Sequence, residues 1–139
     1  MTSGGSRSLW TAFTGIVVGF TALLVGCASF GPLTPVPVSE LKSVAGTWKG
    51  VVYESNSEPD YVTLTIQEDG SYEVVSRQTI GASRGKGQIV ISEGRLILQG
   101  QKGRGVGTLL SSAAGARVMR IEATLSDNRI LTAELGPSR

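Results

Sequence analysis

The sequence predicts an all-β fold: a small antiparallel up-and-down barrel of about eight strands, preceded by an apolar amino-terminal segment and a short helix. Three observations carry this. Apolar residues from Thr47 onward recur with a period of two, as in Val62, Leu64 and Ile66 set against Tyr61, Thr63 and Thr65. Turn-forming pairs such as Asp69-Gly70, Glu93-Gly94 and Asp127-Asn128 interrupt that pattern at the roughly 8–12-residue spacing of sandwiches and barrels. The chain has 139 residues, room for one domain but not for two.

The elements follow in order. Residues 1–8 are polar and carry Arg7, and "LWTAFTGIVVGFTALLV" (residues 9–25) runs without a charge to Gly26-Cys27. A basic start, an apolar middle and a small-residue close have the layout of a secretory signal peptide. Leu24-Val25-Gly26-Cys27 resembles the lipobox of bacterial lipoproteins. That resemblance implies removal of residues 1–26, diacylglyceryl transfer to the Cys27 thiol and acylation of the new amino group. Two or three chains at ~0.8 kcal/mol per buried CH₂ hold a bilayer firmly where one does not. Two other readings compete, an uncleaved membrane helix of about 20 residues and an incidental thiol; Thr and Gly dilute the run and disfavour the helix. Ala28 follows the cysteine where an Asp would favour inner-membrane retention, so the resemblance implies the outer membrane in a Gram-negative cell.

Residues 27–40 hold the lipidated cysteine and then "ASFGPLTPVPVSE", whose three prolines favour extended geometry. At ~3.1 Å per residue this reads as a spacer reaching up to ~40 Å. The domain proper is expected over 41–139. "SELKSVAG" reads as a short helix with Ser39 as N-cap, Glu40 in the first turn and Gly46 as the stop. Strands are then predicted at about 47–54, 60–68, 71–78, 86–92, 95–100, 104–112, 117–126 and 129–135, with Asp69-Gly70 in a type I′ turn. Closing eight such strands removes unpaired edges.

"LKSVAGTWKG" (residues 41–50) resembles the opening of lipocalin-like and related calycin barrels, a short helix followed by Gly-x-Trp at Gly46 and Trp48. In that family the Trp closes the base of the barrel against a basic residue from a later strand. Arg117, Arg120 and Arg129 are the candidates here. The resemblance covers about ten residues and the strand count. The chain is shorter than a usual lipocalin, which leaves less room for a ligand cavity and keeps both a hollow and a filled barrel open.

Gly85-Lys86-Gly87 and Gly103-Arg104-Gly105 both lead into strands, and in an up-and-down meander they fall at one end. Arg84, Lys86, Lys102 and Arg104 would crowd that rim. Backbone N–H groups exposed by the glycines would form, with the cations, a nest for phosphate or carboxylate. The same residues also suit plain turn geometry and edge protection.

Several functions are disfavoured. Histidine is absent and Cys27 is the only cysteine, so zinc or other N/S-ligated metal sites and disulfides within the chain are not expected. With 13 basic against 11 acidic residues, and no nucleic-acid-binding motif, nucleic acid is not an expected partner. No serine has a histidine to activate it, and Glu54, Glu58, Asp60, Glu68 and Asp69 read as solvated turn carboxylates. No catalytic residue, cofactor or enzymatic activity is expected. The expectation is a membrane-anchored envelope protein whose barrel binds a small amphiphilic or anionic ligand: a lipid, lipopolysaccharide or a cell-wall component. A filled barrel would instead leave a protein-interaction module, an accessory subunit or a hydrolase inhibitor.

Overall fold

A computed structural model of the protein describes residues 31–77 and 82–139. The apolar run, the expected 1–26 signal peptide and Cys27 fall outside the described residues. The eight expected strands are all present: β2 (Gly46–Glu54), β3 (Asp60–Ile66), β4 (Ser71–Arg77), β5 (Ala82–Ser92), β6 (Arg95–Gly100), β7 (Gly103–Ser111), β8 (Arg117–Leu125) and β9 (Ile130–Ser138). Each pairs antiparallel with its sequence neighbours, and β9 returns to β2 from Glu54↔Leu131 to Thr47↔Ser138, so the sheet closes.

One strand was not expected. Thr34–Val36 forms β1 and pairs with the last residues of β7, Thr34↔Ser111 to Val36↔Leu109. Val38 is then buried at 3% exposure and donates its N–H to Gly94 O at 2.8 Å. The spacer expected to run to residue 40 therefore ends before Thr34. Docking wins here because Val36 and Val38 supply apolar cover that β6, which begins only at Arg95, leaves open beside β7.

The expected helix is a single 3₁₀ turn, Leu41–Ser43. Glu40, not Ser39, holds the N-cap position, with no side-chain cap bond. The turn only has to carry the chain between two anchors in the core, Val38 and Val44 (0% exposed). Gly46 opens β2 at φ +121, a conformation open to glycine and to few other residues, while nothing within 4 Å would meet a Cβ there.

The hairpins also correct a detail. Type I′ needs positive φ at both central residues. At Asp69-Gly70 only Gly70 has it (φ 89), its N–H donates to Gln67 O at 3.0 Å, and the turn is type I followed by a left-handed residue. Gly115 and Asn128 repeat that arrangement, whereas Glu93-Gly94, with φ 52 and 76, has both positive values.

The core fills the end of the barrel that holds the β3–β4, β5–β6 and β7–β8 turns. Trp48, Val44, Ile66, Ile89, Leu96, Leu109 and Met119 pack there under β1 and the 3₁₀ turn. Trp48 Nε1 donates to Val44 O at 2.9 Å, and the Arg117 guanidinium stacks 5.4 Å from the indole centroid. Arg117 also donates to Ser43 O at 2.8 Å, tying β8 to the 3₁₀ turn. Among the described residues the buried core lies wholly between Val38 and Leu135, so residues 31–139 carry all of this packing.

Candidate functional site

Alternation along the strands points Val52, Val62, Val74, Leu98, Ile121 and Leu131 into the opposite half of the barrel. Large side chains are scarce around them. Gly85, Gly100, Gly103 and Gly105 stand at inward positions on β5, β6 and β7, with Ala123 and Ala133 facing them from β8 and β9. The result is a cavity of about 950 Å³ running from Leu64 and Leu135 up to the β2–β3, β6–β7 and β8–β9 connections. That volume lies within the ~300–1,000 Å³ of small-molecule pockets. The sequence left open whether the barrel is hollow or filled; here glycines occupy inward positions that larger side chains would fill.

Tyr72 is the main polar group on the inner wall. Its hydroxyl lies over Gly87 and Gly100; a Cβ at Gly100 would come within 2.6 Å of it. Burial pushes the phenol above its ordinary value of 10.0, since the charged form is disfavoured away from water. Nearer the mouth, Ser76 donates a hydrogen bond to the Asp60 carboxylate, which also accepts from the Tyr61 N–H at 2.8 Å.

The predicted site residues divide. Lys86, Lys102 and Arg104 do border the mouth, at the end expected for them. Arg84 does not: it lies on the outer wall and pairs with Glu73 at 3.2 Å. The expected glycine nest is absent. β5 already begins at Ala82, and Gly85, Gly87, Gly103 and Gly105 sit in paired strands without positive φ. In Gly-Lys-Gly and Gly-Arg-Gly the strand period sends the glycines inward and the cations outward, so Lys86 and Arg104 are exposed beside a shallow outer hollow with Gln88, Gln99 and Gln101.

Carboxylates hold the other side of the mouth. Glu54 and Asp60 occupy inward strand positions, with Glu58 and Asp127 in the adjoining connections. Arg129 clamps two of them, Nε to Asp127 at 2.7 Å and Nη1 to Glu54 at 3.4 Å. Hydrogen bonds from Arg129 hold the Asp127 carboxyl below its usual 3.8. Among the described residues, no group of three or more His, Cys, Asp or Glu side chains is placed to hold a metal ion.

The reading of the residues alone missed Tyr72 and the inward glycines. The signal for the glycines was present, since Gly103, Gly105 and Gly107 recur at the strand period and therefore share a face.

Comparison with known proteins found no matching family model and no matching curated protein. Among solved structures the chain is similar to a redesigned beta barrel, at 14% identity over 72% of this chain and 96% of that chain, with a TM-score of 0.48.

Proposed function

We propose that this chain is a lipid-anchored protein of the bacterial cell envelope whose lipocalin-like barrel binds a small amphiphilic molecule. The observation that carries the binding reading is the cavity of about 950 Å³, apolar in its depth and ringed by charge at its mouth. The lipocalin-like reading draws on Gly46 and Trp48 at the start of β2 and on Arg117 stacked against the indole. The anchoring reading draws on Leu24-Val25-Gly26-Cys27 after the uncharged run.

The two readings have a joint consequence. β1 and the 3₁₀ turn cover the closed end of the barrel, so a lipid on Cys27 would attach at the end opposite the mouth. Only residues 27–33 would separate lipid from barrel, about 20 Å at full extension. The mouth would then face away from the membrane that holds the protein, and ligand would exchange through the aqueous side.

Two measurements test this. Mass spectrometry of the protein from its own membrane should show residues 1–26 removed and a diacylglyceryl group with an N-acyl chain on Cys27; an unmodified thiol on an unprocessed chain refutes the anchor. The apolar fluorophore N-phenylnaphthylamine should brighten on binding residues 31–139 and brighten less with Ala123→Phe, whose ring intrudes on the cavity. No brightening with a folded wild-type barrel refutes the binding role.

A protein-interaction role has its own observation. Tyr61 (71% exposed), Tyr53 and Ile130 (65%) crop out on the outer wall across β3, β2 and β9. A photo-crosslinker at Tyr61 that captures one envelope protein, with capture abolished by Tyr53→Ser and Ile130→Ser, would support that role.

A further inference from the structure

One polar group on the cavity wall has no partner in the protein. Tyr72 occupies an inward position on β4 opposite Gly87 on β5, and Gly87 in turn faces Gly100 on β6. Both glycines make room for the phenol. A Cβ at Gly87 would stand 2.5 Å from the Tyr72 hydroxyl oxygen, and one at Gly100 would stand 2.6 Å from it. The half-buried ring thus crosses two strands against bare backbone, which fixes where its O–H sits. That hydroxyl makes no hydrogen bond among the described residues. The other polar side chains described at inward strand positions of this wall are engaged: Ser76 donates to Asp60, and Glu54 pairs with Arg129. No fully buried side-chain oxygen among the described residues lacks a partner, so the Tyr72 hydroxyl is reached from the cavity that the residue lines.

We propose that Tyr72 is the specificity-determining residue of the cavity, selecting an uncharged amphiphile whose polar group is a carbonyl that accepts a hydrogen bond from the phenol. This rests on the reading of the cavity as a ligand site and deepens it by naming the ligand chemistry. A carbonyl supplies the acceptor that the lone donor lacks, and it leaves water at modest cost. A carboxylate would have to shed its water for the same single hydrogen bond. No cation stands ready to offset that loss. The strand period turns Lys86 and Arg104 to the outer wall, and Arg129 is taken up by Glu54 and Asp127. Burial already holds the phenol above 10.0, as expected of a place that disfavours charge. The carbonyl can belong to an ester or to a ketone.

The experiment is displacement of N-phenylnaphthylamine from residues 31–139 by four compounds of one chain length, each below its solubility limit. These are a fatty methyl ester, a methyl ketone, the free carboxylate and the alkane. At least one carbonyl compound should displace the probe at a concentration about three- to ten-fold below that of the alkane, the worth of one hydrogen bond. The tighter of the two identifies the ester or the ketone source. Tyr72→Phe should erase that advantage while alkane and probe binding are retained, a selectivity that a merely structural role would not produce. The bound carbonyl of an isotope-labelled ester should also absorb at lower frequency than in alkane solvent, and Tyr72→Phe should restore the alkane value. Carbonyl compounds no better than the alkane, or an advantage and a frequency untouched by Tyr72→Phe, overturn the proposal while leaving the cavity a ligand site. A carboxylate that displaces the probe at lower concentration than both carbonyl compounds overturns the choice of an uncharged ligand. Failure of the probe to bind the folded wild type is a different result: it removes the ligand site and this proposal together.

Discussion

Arg117 does two jobs with one guanidinium, stacking on Trp48 and bonding to Ser43 O at 2.8 Å. Arg117→Ala should cost about 1–2 kcal/mol, combining a cation–π contact of ~0.5–1 kcal/mol with a charge-assisted hydrogen bond. Urea unfolding at an unchanged slope would measure it, and Arg117→Lys should recover only part. Tyr72 should titrate above its ordinary value of 10.0, followed by tyrosinate absorbance, and Tyr72→Phe should remove that late step. Its folded pKa is raised above 10.0, so the stabilisation is fully present below pH 10 and is lost as pH rises through the folded value. Neither role was fully legible beforehand. The sequence offered three arginines for Trp48, and only the strand register sets Arg117 over the ring, while Arg120 pairs outside with Glu134 at 3.0 Å.

Among the elements, β1 was the one hidden in the sequence. Three prolines between residues 32 and 37 read as a free spacer, because proline disfavours interior strands. An edge position tolerates it, and β1 pairs only with β7. Deleting residues 1–33 should leave the melting temperature of the barrel unchanged. Deleting through Val38 should lower stability by about 2–4 kcal/mol, since it removes the buried Val38 side chain and uncovers the core beneath. Equal melting temperatures for the two truncations would show β1 to be ornamental. The eight barrel strands, by contrast, were readable almost to the residue at most of their ends. Alternation and turn pairs are local properties, and here nothing tertiary opposes them.

At the scale of the whole molecule the closed end carries the packing and the open half carries the space. Ala123→Phe should therefore weaken probe binding and raise stability by about 0.5–2 kcal/mol, seen as a higher melting temperature, as partial filling of a hollow commonly does. A drop in stability would mean that the walls cannot accept the ring. Gly50 and Gly103 show how the walls are bent. A Cβ at Gly50 would collide with Glu134 O, and one at Gly103 with Thr124 O, so the strands approach more closely there than any other residue allows.

By itself the sequence determined the fold class, the strand order and the end of the barrel to which the charged connections go. Those follow from period-two patterning and turn chemistry between near neighbours in the chain. Tertiary structure alone decided that the interior is hollow, that the cations of Gly-Lys-Gly and Gly-Arg-Gly stand outside while carboxylates face inward, and that the proline-rich segment seals the base. Each of these depends on which residues from distant strands share one cross-section. Whether a glycine leaves a void or admits a neighbour's side chain is settled only when the far wall is in place.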